Sequence, residues 1–221
     1  MLFLGIDDAG RGPVIGPMVL AGVLVDEKTI KNFKKIGVKD SKLLTPKRRE
    51  FLAEEVKKGV ETFEVAMAFP KEIDKGNHNG VDLNKVEAIK MAEVVNKINK
   101  GFKKIKVIID CPSVGIKKWE DYFKTKVHNL SNLEIVCEHK ADKNYTAVAA
   151  ASIIAKSVRE KEMDKLKEKY GKEIGSGYCT DPHTCKFLEK YAKKHEKDGL
   201  FRLSWSTWKN ACKNLEQRKL I

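Results

Sequence analysis

The chain has 221 residues, of which 42% are hydrophobic, and 44 lysines and arginines against 31 aspartates and glutamates give a formal net charge of +13. This composition excludes a disordered chain and is ample for a packed core. No apolar run approaches the roughly 18 residues of a membrane span. The first residues include two aspartates and lack the basic start of a signal peptide. We therefore expect a soluble, cytoplasmic protein, and a monomer.

The positive charge favours a polyanionic partner such as nucleic acid. However, only 6 of the 44 basic residues are arginine. Lysine-rich helix faces are also common as solvated surfaces, especially in heat-stable proteins. Charge alone therefore leaves a nucleic-acid-binding protein and a generic basic protein both open.

Eight segments carry a regular hydrophobic pattern. In chain order they are a strand over 2–7, a strand over 18–25, a helix over 46–58, a strand over 62–69, a helix over 84–100, strands over 106–110 and 133–137, and a helix over about 145–170. The early strands favour an antiparallel meander, and the later strand–helix alternation favours parallel pairing. The pattern predicts an α/β protein with a mixed five-stranded sheet flanked by helices.

The C-terminal part of the chain differs from the rest. From about Cys179 onward the pattern predicts helices and loops, and residues 186–221 carry ten Lys/Arg against four Asp/Glu. We therefore predict two domains, one over residues 1–178 and a small C-terminal helical region over residues 179–221 that contacts the substrate.

Aspartates mark the ends of several predicted strands. Asp7 and Asp8 end the first strand, Asp110 ends the fourth, and Asp142 follows the fifth. Charged groups in such places are costly unless they are compensated, and a divalent cation with oxygen ligands is the usual compensation. Two metals about 4 Å apart can activate a water and stabilise the leaving oxygen of a phosphodiester. The spacing of these aspartates therefore allows a metal site but does not by itself establish one.

Simpler interpretations of these aspartates stay open. Asp142 precedes a helix and also fits a helix cap. Adjacent strand residues point to opposite faces, so Asp7 and Asp8 can serve one site only where the strand frays or twists at its end.

Two glycine-containing segments are candidate recognition loops. Gly10-Arg11-Gly12 follows the first aspartates, and its main-chain N–H and C=O groups could hydrogen-bond a ribose 2′-hydroxyl. A tight turn between strands is the alternative. The segment from Gly175 to Tyr178 is either a flexible loop or a loop that presents an aromatic ring for stacking on a sugar or base.

These motifs together resemble the ribonuclease HII family. The similarity covers about residues 1–208, fits the archaeal branch best, and is carried in the family's order by GIDDAGRGPVIGPMV (5–19), Asp40-Ser41-Lys42, VIID (107–110), KADKNYTAVAAASIIAK (140–156) and GSGYCTDP (175–182). The resemblance implies an RNase H-like fold and hydrolysis of the RNA strand of RNA/DNA hybrids. It also implies cutting on the 5′ side of single ribonucleotides in duplex DNA, and a role in DNA replication and repair.

The resemblance further implies a role for each matching residue. The four metal-site positions, which hold two Mg²⁺ or Mn²⁺ ions, are Asp7, Asp8, Asp110 and Asp142. The expected mechanism uses one ion to help deprotonate a water and the other to stabilise the departing 3′-oxygen, giving 5′-phosphate and 3′-hydroxyl ends. The implied substrate-binding residues are Gly10, Arg11 and Gly12 for the 2′-hydroxyl, Tyr178 for stacking on the deoxyribose, and Lys42 for a phosphate.

One position departs from the family's pattern. The family normally has glutamate where this chain has Asp8, and aspartate is shorter by one methylene. Because metal geometry is demanding, we expect the change to affect the catalytic rate more than binding. A hybrid-duplex binder with an impaired metal site, or another nuclease of the same fold, are the alternatives.

A last motif lies at the C-terminus. Gln217 to Leu220 matches the Gln-x-x-Leu start of a sliding-clamp peptide, but the aromatic pair that should follow is missing. So short a match is weak, and a frayed basic helix end is the favoured interpretation.

Overall fold

The computed structural model describes residues 1–39 and 44–217. Within them one sheet contains the strands β1 (Leu2–Ala9), β2 (Met18–Asp26), β3 (Thr62–Ala68), β4 (Ile105–Asp110) and β5 (Leu133–Glu138). Their order is β3-β2-β1-β4-β5. Strand β1 pairs antiparallel with β2 and parallel with β4, and β4 pairs parallel with β5. The predicted mixed five-stranded sheet is confirmed.

The helices of the same residues are α1 (Glu27–Ile36), α2 (Pro46–Gly59), α3 (Pro70–His78), α4 (Leu83–Ile98), α5 (Ile116–Lys124), α6 (Ala141–Asn144), α7 (Thr146–Tyr170), α8 (Pro182–Tyr191) and α9 (Ser206–Gln217). Helices α2, α4 and α7 lie where they were predicted. Helices α1, α3 and α5 were not predicted. In α1 the residues Ile30, Phe33 and Ile36, and in α5 the residues Ile116, Trp119 and Phe123, do recur at helical spacing, so these two short helices were overlooked although their pattern was present. Helix α3 is only nine residues long and buries Pro70 and Ile73. No helix in this part of the chain is long and apolar enough to cross a membrane.

The chain divides into two compact units. The first comprises Met1–Ala9, Val19–Met67 and Asn84–Val158, and the second comprises Gly10–Met18, Ala68–Leu83 and Arg159–Ile221. The predicted boundary at residue 178 stays a prediction.

The first unit contains the sheet, with helices packed closely on its central strands. A Cβ placed on Gly5 of β1 would lie only 2.1 Å from the main-chain carbon of Ala147 in α7. A Cβ on Gly22 of β2 would lie 2.4 Å from Val94 in α4. Glycine at these two positions lets both helices approach the strands closely. The alanine-rich start of α7 is accordingly buried in the core of this unit.

The second unit has a separate hydrophobic core. Its buried side chains include Val14, Ile15, Phe187 and Phe201. A single antiparallel bridge pairs Ile15 with Phe201, so the segment after Gly10 is joined to the C-terminal region of the chain.

Candidate active site

Three carboxylates converge at one edge of the sheet. Asp7, Asp110 and Asp142 each offer an oxygen, and these oxygens lie within 4.8 Å of one another. The register explains the first pair, because Ile6 pairs with Ile109 in the parallel β1–β4 ladder and the next residue on each strand is an aspartate. Asp7 and Asp142 are buried, and Asp110 is partly buried. Three of the four aspartates predicted to form the acidic cluster therefore lie together in the structure.

The turn after β5 brings Asp142 to the other two carboxylates. Glu138, the last residue of β5, pairs with Asp110. Lys140 then takes a left-handed conformation (φ 59°), the only positive φ of a non-glycine residue in the described ranges. The main-chain N–H of Ala141 donates a hydrogen bond to Asp110 Oδ1 at 3.2 Å. Such sparsely populated conformations are typical of functional sites, and this one starts α6 beside Asp110, with Asp142 in its first turn.

The carboxylate of Asp7 accepts hydrogen bonds from two neighbours, while nearby negative charges destabilise its ionised form. The main-chain N–H of Asp8 donates to Asp7 Oδ1 at 2.7 Å, and the hydroxyl of Ser152 in α7 also hydrogen-bonds the Asp7 carboxylate. Burial raises the pKa of Asp7 well above its ordinary value, and the charges of Asp8 and Asp110 raise it further. A bound cation would relieve both effects, because it favours the ionised carboxylate.

The donor set fits a hard divalent cation. All three candidate donors are carboxylate oxygens, which Mg²⁺ and Mn²⁺ prefer over nitrogen and sulfur donors. The three oxygens are close enough together to bind one ion.

Asp8 lies beside this cluster and is not a member of the group of three. Strand β1 does not fray there, because its pairing with β2 continues through Asp8 opposite Leu20 and Ala9 opposite Val19. Asp8 is half-buried, and its charge acts on Asp7. Its role as a metal ligand stays a prediction.

The predicted recognition loops lie together in the second unit. Gly10 has φ +82°, and a Cβ there would collide with the side chain of Arg159 at 2.5 Å. A Cβ on Gly12 would lie 4.0 Å from the ring of Tyr178. Tyr178 is 42% exposed, so its ring is available for stacking. Lys42 lies outside the described residues.

Two buried residues at these sites were missed from the sequence. Ser152 supports Asp7, and Arg159 supports the recognition loops by donating to the carbonyl oxygens of Pro17 at 2.6 Å and Ser176 at 3.4 Å. The Arg159 guanidinium also lies 5.8 Å from the centre of the Tyr178 ring. Burial lowers the pKa of Arg159. Ser152 could have been noticed in the sequence, because it is the one polar residue within the apolar run 147–155 of α7.

Comparisons with known proteins agree with this geometry. The family model for ribonuclease HII matches residues 4–208. A ribonuclease HII of Methanococcus maripaludis is 42% identical over 223 residues, covering 100% of this chain and 91% of the relative. The crystal structure of ribonuclease H2 from Pyrococcus horikoshii matches with a TM-score of 0.86 at 38% identity, covering 98% of this chain and 100% of that one. The Archaeoglobus fulgidus structure of a PCNA:RNase HII complex matches with a TM-score of 0.81 at 36% identity, covering 93% and 96%.

The mixed sheet, its flanking helices and the acidic cluster define a nuclease of the RNase H-like class. Within that class, the chain belongs to the ribonuclease HII family. It is a ribonuclease H with activity on RNA/DNA hybrids, and its family depends on divalent metal ions. The predicted family, fold class and enzyme class are confirmed.

Proposed function

We propose that this ribonuclease H also cuts duplex DNA on the 5′ side of a single embedded ribonucleotide, using two divalent cations. The observation that carries the proposal is the convergence of Asp7, Asp110 and Asp142 within 4.8 Å. The segment of residues 10–12 supports the selection of a ribonucleotide, because a Cβ on Gly12 would meet only the exposed Tyr178 ring at 4.0 Å, which leaves its main chain open to a ligand.

The cations are Mg²⁺ or Mn²⁺, and their proposed ligands are the three converging aspartates together with Asp8. When bound, they supply an activated water and stabilisation of the leaving 3′-oxygen. The chain's own part is to hold the carboxylates in place. The Ser152 hydroxyl and the Asp8 N–H fix Asp7, and the Ala141 N–H fixes Asp110. Such positioning avoids reorganisation during the reaction.

The products follow from the nucleophile. The oxygen of a water forms the new bond to phosphorus, and the bond from phosphorus to the 3′-oxygen breaks. The phosphate stays on the 5′ end of one product, and the other leaves with a 3′-hydroxyl. The ribose 2′-hydroxyl takes no part in bond making and serves for recognition by Gly10, Arg11 and Gly12.

Other substrate contacts come from the second unit and from the basic surface. Tyr178 is exposed and stands beside residue 12, which supports its role in stacking on the deoxyribose at the RNA–DNA junction. Lys42 is proposed to contact a phosphate. The net charge of +13 supports binding to phosphates that weakens as salt is added.

A sliding clamp is a candidate partner. A similar protein of Archaeoglobus fulgidus forms a complex with PCNA, and Gln217 to Leu220 match the start of a clamp-binding peptide. Residues 218–221 lie outside the described part of the chain. The oligomeric state proposed is a monomer.

The test is cleavage of a labelled DNA duplex that contains one ribonucleotide, with an identical all-DNA duplex as the control. Reactions contain Mg²⁺, Mn²⁺ or EDTA, and Asp110→Asn is assayed in parallel. We expect metal-dependent cutting on the 5′ side of the ribonucleotide, lost in EDTA and in Asp110→Asn, with the all-DNA duplex intact. Equal cutting of both duplexes contradicts recognition of the 2′-hydroxyl. Tight binding of the ribonucleotide-containing duplex without cutting contradicts the proposed incision and identifies a catalytically silent binder.

A further inference from the structure

Two side chains from the C-terminal region bind all three carbonyl groups of the segment Gly10-Arg11-Gly12. Arg202 donates from Nη2 to the Gly10 oxygen and from Nη1 to the Arg11 oxygen, each at 2.6 Å. The indole Nε1–H of Trp205 donates to the Gly12 oxygen at 3.1 Å. These contacts join residues about 190 positions apart in the sequence.

Arg202 is fully buried, with 0% of its surface exposed. Burying a guanidinium is costly unless its donors find acceptors in fixed directions. Besides the two carbonyls above, its Nη2 and Nε donate to the Gly16 oxygen at 3.1 Å and 3.3 Å. The loop therefore forms a cradle of carbonyl oxygens around the guanidinium, and the guanidinium in turn fixes the loop.

Arg202 is itself anchored to the same segment through its main chain. Its N–H donates to the Val14 oxygen at 2.8 Å, and the Gly16 N–H donates to the Leu200 oxygen at 3.2 Å. The guanidinium carbon also lies 5.0 Å from the centre of the Trp205 ring. Arg202 is thus tied to the segment by its main chain as well as by its guanidinium, and it also contacts Trp205.

The bonded carbonyls determine where the N–H groups of the loop point. A trans peptide is planar, with its C=O and N–H in opposite directions, and the described residues contain no cis peptide. The Gly10 carbonyl shares a peptide with the Arg11 N–H, and the Arg11 carbonyl shares one with the Gly12 N–H. With both carbonyls turned toward Arg202, the two N–H groups point away from it.

We infer that Arg202 and Trp205 are positioning residues for recognition of the 2′-hydroxyl: they set the main-chain orientation of residues 10–12 that reads the ribose. This inference rests on the proposed function of that segment. Neither residue needs to contact the substrate, and the loop N–H groups are the donors presented to the ribose oxygen.

The test measures discrimination rather than activity. The dissociation constants of a duplex with one ribonucleotide and of an identical all-DNA duplex are measured with Mg²⁺ in an Asp110→Asn background, which prevents cleavage. Because the two duplexes differ by one 2′-hydroxyl group, the ratio of their dissociation constants measures how strongly the protein recognises that group. Arg202→Lys keeps the charge but replaces the planar fork of donors with a single ammonium group, and Trp205→Phe removes one indole donor. The matched control is Trp208→Phe, since the Trp208 Nε1–H is buried and donates no hydrogen bond within the described ranges.

We expect Arg202→Lys to reduce the ratio by tenfold or more and Trp205→Phe to reduce it by up to about tenfold, the scale of a lost hydrogen bond. Affinity for all-DNA should stay unchanged, because that duplex has no 2′-hydroxyl for the loop to read, and Trp208→Phe should keep the parent ratio. Thermal unfolding checks that each variant is folded. If Arg202→Lys does not fold, because Arg202 is buried, the test rests on the half-buried Trp205 and compares Trp205→Phe with Trp208→Phe.

Two contrary results have different meanings. Folded variants that keep the parent ratio overturn the positioning role and leave the proposed function standing. A parent protein that binds both duplexes equally overturns the proposed function itself, and the inference with it.

Discussion

The acidic cluster and the loop over residues 10–12 are built in different ways. Asp7 and Asp110 are neighbours because two parallel strands end in register, and Asp142 follows through one tight turn. The loop is held by side chains about 190 residues further along the chain. The cluster is thus a consequence of sheet topology, whereas the loop depends on a few long-range hydrogen bonds.

The two regions also differ in charge. In the cluster, burial and the charges of Asp8 and Asp110 raise the pKa of Asp7, so its charge is relieved either by a proton or by a bound cation. Around the loop, the buried positive charge of Arg202 is met by neutral carbonyl groups. Under the proposed function, the cluster would serve the chemistry through bound metal ions, and the uncharged main-chain groups of the loop would serve the choice of substrate.

The largest expected effect is on the chemistry. Asp110→Asn removes one of the three converging charges with almost no change in shape, and we expect hydrolysis of an RNA/DNA hybrid to slow by on the order of 10³-fold. Binding of the hybrid should change little. Single-turnover cleavage and equilibrium binding measure the two effects. An Asp110→Asn variant that retains nearly full activity contradicts a catalytic role for the acidic cluster.

A smaller effect, in the opposite direction, is expected at Asp8. Asp8→Glu extends the carboxylate by one methylene, to the length that the resemblance to the family leads us to expect at this position. We expect kcat on a hybrid to rise by up to about 100-fold, the scale of a 1 Å misplacement, with KM nearly constant. Steady-state kinetics with Mg²⁺ and Mn²⁺ check this. A slower enzyme would mean that the chain has adapted to aspartate.

The close packing of α7 on β1 gives a prediction for stability. Gly5→Ala places a methyl group against the main chain of Ala147, and we expect a loss of about 3 kcal/mol in unfolding free energy. Activity should also fall, because α7 carries Ser152. Gly115→Ala is the control, since a Cβ there meets nothing within 4 Å and φ is −88°. Denaturant unfolding compares them, and equal losses in both variants contradict the packing argument.

The smallest effect is the pH dependence of the metal-free protein. Because the pKa of Asp7 is raised on folding, the folded chain keeps this proton to a higher pH than the unfolded chain does. Stability from this group is full below the unfolded pKa of about 3.9 and is lost as pH rises through the folded value. Asp7→Asn should remove this contribution to the change of unfolding free energy with pH, and saturating Mg²⁺ should reduce it. Unfolding midpoints in EDTA between pH 4 and 8 test it, and identical slopes contradict it.

The sequence predicted the parts of the molecule that follow from local patterns. Apolar runs ending in aspartate located β1 and β4, and parallel pairing then required Asp7 and Asp110 to meet. The support of the loop was not predictable in this way. Nothing local to Arg202 indicates which carbonyls it binds, because these partners are fixed only when distant segments pack. The helices α1 and α5 are a different case, because their apolar residues do recur at helical spacing and could have been found from the sequence.

The most direct test of the acidic cluster is anomalous diffraction from crystals of the protein soaked in Mn²⁺. We predict an anomalous peak in contact with the carboxylates of Asp7, Asp110 and Asp142, and its loss in crystals of Asp110→Asn. The same map shows whether Asp8 is a ligand. An ordered Mn²⁺ bound elsewhere, with no density among these three residues in protein that cleaves hybrids, contradicts the assignment.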